Sequence, residues 1–392
     1  EEIRAKKADS QQNRLSNAHD TFFKALSFEA KRMYDYTALI NGMSIQTAYK
    51  NLAAMEKMDG VKKVYVANEF KAPVVQKPTQ ENANIITGAY SMQSIGLLGD
   101  GMVAAVLDTG LNLTHEAFQD YGVITEPAFT EEYVSSVETT VPGKYVSVKV
   151  PFSYDYYEGD DDVTDYNGHG SHVSGTISGL AVDEDGAIKF MGAAPTSQLV
   201  FMKIFADAAG GTNSGIYMAA LEDCFLLGVD AINMSIGAPG GFVYDWELDE
   251  EFGNVYKKLD QAGVIVCISA GNEGTSSYGN MWGTNMNTTA NPDVATVGSP
   301  GTYANATTVA SVENAVVMTP YFSVNGEEVF YMDPYQYMVA MPDLIEWGYS
   351  ELEYVIIDGL GEEADFYDEE GNSLVEGKVA VIKRGELSFA EK

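Results

Sequence analysis

The sequence predicts a doubly wound, mainly parallel α/β domain, and three observations lead there. Between residues 102 and 272 lie short runs that are apolar on both faces and rich in β-branched residues: "MVAAVLD", "QLVFMKIF", "VDAINMSIG" and "GVIVCISAGN". Strands of that kind belong inside a parallel sheet covered on both sides. The intervening stretches "GIYMAALEDCFLLG" and "DEEFGNVYKKLDQAG" carry helical spacing and close on glycine, as crossover helices do. The sequence on either side follows a different rhythm, so the α/β part is bounded.

Taken in order, the chain begins with helical spacing over 17–30 and again over 45–58, as in "SIQTAYKNLAAMEKM". Strand-like pieces lie between and after them, "YDYTALINGM" and "VKKVYVANEF", the second entered through Asp59-Gly60. A small α+β domain follows from that alternation. "KAPVVQKPTQENAN" has two prolines and no periodicity, and reads as an exposed linker. The α/β domain comes next. Beyond about Val312 the sequence turns acidic and tyrosine-rich, with strand-like "EYVIIDG" and "GKVAVIKRG". The expected division is therefore 1–81, 82–312 and 313–392, the last a β-rich unit.

At 392 residues and 42.5 kDa there is room for two or three domains, and no apolar run approaches the roughly 20 residues of a membrane span. The formal charge of −34 argues against nucleic acid as a partner, because phosphate binding requires a basic surface. The charge is uneven: residues 1–80 hold 13 Lys and Arg against 9 Asp and Glu, net +4, while the remainder is net −38. Most of the carboxylates read as a solvated surface, and the asymmetry suggests that the two parts dock on each other. Cys224 and Cys267 have no metal spacing and form no disulfide framework, so two buried thiols are expected.

Three polar residues could carry chemistry. Asp108 ends an apolar strand in "VLDTG". Asp-Thr-Gly also marks aspartic proteases, but they need two such carboxylates sharing a proton, the chain has one copy, and its surroundings are α/β. In "YNGHGSHVSGTISG", glycines flank His169 and let the backbone turn into a helix, where an imidazole is suited to proton transfer. A lone histidine is more often structural, which is the reading given to His172, one turn further on. In "SAGNEG", Asn272 closes a strand, where its amide could donate to a developing oxyanion or simply form a turn.

Taken together, "VLDTG", "NGHGSHVSGT", "NMSIG" and "SAGNEG", in that order, resemble the subtilisin-like serine proteases, or subtilases. The resemblance implies that Asp108 orients the imidazole, that His169 is the general base and that Asn272 lines the oxyanion hole. It assigns Ser235, Ile236 and Gly237 to a substrate-binding strand, Gly210 and Gly211 to a facing one, and Gly271 to the first pocket, so that a protein or peptide substrate adds as a strand. Residues 1 to about 81 are similar to the inhibitor-type propeptide, with the tail near Ala67 to Lys71 expected along the substrate strands. "EGKVAVIKRGELSFAEK" is similar to the core of a protease-associated domain, inserted in large bacterial cell-envelope subtilases between the oxyanion Asn and the catalytic Ser.

The family's Gly-Thr-Ser-Met-Ala-like nucleophile motif does not occur here, and "GTSS" at 274–277 lacks the apolar helix that should follow it. The Ser is therefore expected beyond Lys392, on a carboxyl-terminal continuation or a second chain, and residues 1–392 alone are expected to be inactive. The resulting expectation is the amino-terminal part of a secreted or cell-wall-associated serine endopeptidase in zymogen form. The rival is an inactive relative kept as a peptide-binding or adhesion module. No cofactor is required for the chemistry. The acidic runs "YEGDDDVTD" and "VDEDG" leave Ca²⁺ open as a structural ion, although neither has a recognised calcium-loop pattern.

Overall fold

The computed structural model describes residues 2–70, 80–137, 141–207, 211–238, 246–272, 297–312, 321–324, 326–330, 348, 352–359, 361–368 and 370–382. The chain divides into two compact units, Glu1–Val317 and Met318–Lys392.

The first unit opens with α1 (Glu2–Lys24), β1 (Ala30–Tyr36), β2 (Gly42–Thr47), α2 (Leu52–Met55) and β3 (Glu69–Phe70). β1 and β2 pair antiparallel, Ala30 facing Thr47 and Tyr36 facing Gly42. The helix expected over 45–58 is thus cut short. Ile45 to Thr47 belong to β2, because pairing with β1 satisfies their backbone groups, and only Leu52–Met55 form α-helix. Conversely, α1 begins well before residue 17. Of "VKKVYVANEF", only the last two residues are strand.

There follow α3 (Gln80–Ile86), α4 (Ala89–Gln93), β4 (Val103–Asp108), α5 (Glu131–Val137), β5 (Phe152–Asp155), α6 (His169–Ser178), a hairpin of β6 (Leu180–Val182) and β7 (Ile188–Met191), and β8 (Gln198–Lys203). The unit closes with β9 (Thr212–Asn213), α7 (Ser214–Leu227), β10 (Ala231–Met234), α8 (Trp246–Gln261), β11 (Ile265–Ser269) and β12 (Thr307–Val309). Among the described residues, six of these strands form one sheet in the order β12-β11-β10-β4-β8-β5, every neighbouring pair parallel. All carboxyl ends therefore lie at one rim, which is where ligands sit on such sheets.

Alternation along the strands splits the core in two. Ala105, Leu107, Val200, Met202, Ile232, Met234, Val266 and Ile268 join a large cluster with side chains of α7 and α8. Val106, Leu199 and Phe201, on the opposite face, join a smaller one with Val173 and Ile177 of α6. α7 is apolar nearly all round and buried along most of its length, because the sheet lies on one side and β1 on the other. Asn213 caps it by accepting from the Gly215 and Ile216 N–H groups, at 3.0 and 3.3 Å.

The second unit contains an antiparallel hairpin of β13 (Tyr321–Val324) and β14 (Glu327–Phe330), and a parallel pair of β15 (Tyr354–Ile357) and β16 (Val379–Ile382).

Candidate active site

β4 delivers Asp108 to the carboxyl rim, in register with Lys203 of β8. The Asp108 carboxylate is wholly buried, and its Oδ1 accepts from the Thr109 N–H at 2.7 Å and from His169 Nδ1 at 2.7 Å. His169 is the first residue of α6, and its side chain is 14% exposed. Gly168, at φ +90°, makes the turn into the helix, a conformation that favours glycine. Gly170 lets the helix start approach β4: a Cβ there would stand 2.2 Å from the Gly110 carbonyl oxygen and 3.1 Å from the Asp108 Cβ. The short distance between carboxylate and imidazole is therefore built into the backbone.

Burial pushes the Asp108 carboxyl above its usual range, against the opposing pull of the His169 ring and the Thr109 N–H. A carboxylate so placed can only accept, so Nδ1 of the neutral ring carries the proton toward it and Nε2 is left as the basic nitrogen. For His172, burial and the neighbouring His169 lower the ring's pKa, with Asp108 acting in the opposite direction.

This is a strand-end carboxylate bonded to a helix-start imidazole on a parallel sheet, and the profile of the subtilase family matches residues 99–372. The chain is a subtilase. It is 30% identical over 366 residues to the PII-type proteinase of Lactococcus lactis subsp. cremoris, covering 91% of this chain and 19% of that protein. It is 28% identical over 333 residues to the C5a peptidase of Streptococcus pyogenes, covering 83% of this chain and 27% of the relative. The chain thus spans about a fifth to a quarter of the length of these relatives.

Across the subtilase rim the other predicted residues are spread over neighbouring strand ends. Ser235, Ile236 and Gly237 follow β10 directly; Ser235 Oγ accepts from Asn233 Nδ2 at 3.0 Å, and the Ile236 carbonyl accepts from Ser269 Oγ at 3.1 Å. Ile236 is buried. Gly271 and Asn272 follow β11 and are exposed, Gly271 at φ +100°. Gly211 precedes β9, and Gly210 lies outside the described residues, as do "GTSS" and the last ten residues of the chain.

The strand pairing at β9 is occupied. β3 runs antiparallel to it, Glu69 facing Asn213 and Phe70 facing Thr212, and the Ser214 N–H donates to the Asn68 carbonyl at 2.9 Å. Phe70 is buried edge-on against Tyr217, ring centroids 5.7 Å apart. On the outer side of α7, the Glu222 carboxylate accepts from the consecutive Thr37, Ala38 and Leu39 N–H groups at 2.5, 2.9 and 3.0 Å. The Tyr36 hydroxyl donates to the Gly215 carbonyl at 2.6 Å.

Sequence reasoning missed several of these groups. Glu222 looks like one more surface acid in a helix, until its three backbone donors come from residues more than 180 positions away. The acidic run 157–165, read as a solvated loop, hides Asp165, whose carboxylate is bonded to the residues around His169. Other acids of these loops bind their own loop: Asp162 accepts from Thr164, and Asp183 from the Asp185 and Ala187 N–H groups. Among the described residues no group of three or more acidic, His or Cys side chains is arranged to hold a metal.

Proposed function

We propose that this chain is the amino-terminal portion of a secreted subtilisin-like serine endopeptidase in its zymogen form. The observation that carries the reading is the 2.7 Å bond between the wholly buried Asp108 carboxylate and His169 Nδ1 at the sheet rim. With Nδ1 held by Asp108, His169 takes the nucleophile's proton on Nε2, and Asp108 stabilises the imidazolium that forms. Asn272 lies at the end of β11, two strands from β4, and its amide is suited to donate to the oxyanion. In subtilisin one such donor is worth about 2.7 to 4 kcal/mol.

The nucleophile in this reading is a Ser outside the 392 residues. The α6 face of the sheet supports it. Over β10 to β12 that face carries Ile265 at 59% and Val309 at 52% exposure, beside a cleft of about 260 Å³ lined by Asn233, Ser235, Cys267 and Ser269. A parallel sheet is normally covered on both faces. A further helix packed there, starting at the rim beside His169, would cover the apolar positions and bring a hydroxyl to the imidazole. Residues 1 to about 81 act as the inhibitor: the Glu222 cradle anchors them, and β3 takes a strand position that a peptide substrate would use. In this reading, residues 1–392 alone are inactive.

The test is labelling of the longer polypeptide with a fluorophosphonate probe, alongside its His169→Ala variant. Labelling of the parent and loss of most of it in the variant is the expected result. No labelling of either would overturn the protease reading in favour of a peptide-binding relative.

A further inference from the structure

Asp108 and His169 sit on separate pieces of chain, the end of β4 and the start of α6. Five hydrogen bonds that join or brace these pieces converge on one half-buried carboxylate, that of Asp165. Its Oδ1 accepts from the Thr109 hydroxyl at 3.0 Å and from the Asn167 and Gly168 N–H groups at 3.1 and 2.8 Å. Its Oδ2 accepts from the Ser171 N–H at 2.9 Å and the Ser171 hydroxyl at 2.7 Å. Both hydroxyls pass the connection on. Thr109 Oγ1 accepts from the Gly170 N–H at 3.0 Å, and Ser171 Oγ accepts from the Asn112 N–H at 2.9 Å. Each relay therefore crosses between the segment that follows Asp108 and the segment that contains His169.

We propose that Asp165 is a positioning residue, whose carboxylate locks the His169 turn against the Asp108 loop and so holds the imidazole in the Nδ1–H tautomer bonded to Asp108. The catalytic use of that arrangement rests on the protease reading above; the locking itself does not.

The chemistry of the donor set explains why a carboxylate is needed. All five partners donate, and only a group with acceptors on both oxygens can satisfy them. An Asn would turn its NH₂ either toward Ser171, opposing a backbone N–H, or toward Thr109 and the Asn167 and Gly168 N–H groups, losing three bonds. Asp165 does not act by supplying charge to Asp108. As a nearby like charge it is among the influences that raise the Asp108 carboxyl, so its neutralisation leaves Asp108 more readily ionised. A defect in Asp165→Asn therefore reports lost position rather than a lost Asp108 charge.

The experiment uses the 392-residue chain with ¹⁵N-labelled histidine rings, in which long-range ring correlations report the tautomer of neutral His169. The wild type is expected in the Nδ1–H form. Asp165→Asn is expected to shift it to a mixture with the Nε2–H form, Thr109→Val to do the same, and Thr109→Ser, which restores the hydroxyl, to keep the wild-type tautomer. An unchanged tautomer in both Asp165→Asn and Thr109→Val overturns the proposal. Should Asp165→Asn fail to fold, the Thr109→Val and Thr109→Ser pair decides by the same criterion. In the longer, hydrolytically competent polypeptide, Asp165→Asn should lower kcat on the order of 10- to 100-fold with KM little changed, as misplacement of a reacting group does. A raised KM with kcat intact would count against positioning. A wild type that shows no fluorophosphonate labelling would remove the protease reading and leave the tautomer test standing.

Discussion

The two faces of the central sheet differ most over β10 and β11. On the α7–α8 face Ile232, Met234, Val266 and Ile268 are at most 2% exposed, enclosed by helices and, beyond α7, by the β1–β2 segment. On the α6 face, one residue along each strand, Ile265 is 59% exposed and Asn233, Cys267 and Ser269 are only part-buried. The strands and the backbone ladder are shared, so the difference lies in what packs against each side. The enclosed face holds the larger apolar cluster, whereas the open face borders the rim where Asp108 meets His169.

That contrast is sharpest in the core. Ile232→Ala on the enclosed face should cost roughly 2–5 kcal/mol, the usual loss for a buried aliphatic side chain, read from urea unfolding. Equal losses for Ile232→Ala and for Ile265→Ala would break the comparison.

A second test reads the polar part of the enclosed face. Asp223 of α7 accepts from the Tyr156 hydroxyl at 2.6 Å, and burial pushes its carboxyl up to about 7, the Tyr156 bond acting the other way. The folded chain then holds a proton that the unfolded chain releases from about pH 4 upward. The stability contributed by this protonation is full below that pH and lost as pH rises through 7, on the order of 2–4 kcal/mol. Asp223→Asn keeps an acceptor for Tyr156 and should flatten the decline. A decline of the same size in the variant would assign it to other groups.

The smallest effect is expected on the open side. Cys267→Ala should change stability by less than about 1 kcal/mol, in keeping with a part-exposed position. Cys267 should also be alkylated by a thiol reagent in the folded chain, while Cys224, wholly buried and with its thiol pushed far up by burial, should react only on unfolding. Simultaneous modification of both thiols would contradict the picture of one closed and one open face.

Much of this architecture was readable from local pattern. The apolar runs that became β4 and β8 are continuous because both of their faces are packed, whereas those of β10 and β11 followed the same pattern with only one face enclosed. α7 and α8 kept their helical spacing and closing glycines. β5, "FSYD", was not anticipated, since four mixed residues gain a sheet position only through pairing with β8. The helix expected over 45–58 gave way to β2 because Ile45, Gln46 and Thr47 pair with Arg32, Lys31 and Ala30 of β1, and intrinsic propensity is a weak prior against such pairing.

At the rim, the motifs around Asp108 and His169 could be read because glycine spacing is a local backbone requirement. Asp165 could not be told from its acidic neighbours. Asp162 and Asp165 are alike in composition, and only the position of the Thr109 and Ser171 hydroxyls in space separates a carboxylate that joins two segments from one bonded within its own loop. By itself, then, the sequence determined β4, β8, β10 and β11 and the crossover helices α7 and α8, and marked Asp108 and His169 as residues able to carry chemistry, because periodicity and glycine act over a few residues. The tertiary structure alone decided that Asp108 meets His169 at 2.7 Å, that Glu222 receives residues 37–39, and that Asp165 joins two loops. Those outcomes depend on distances between groups far apart along the chain, which pattern along the chain does not encode.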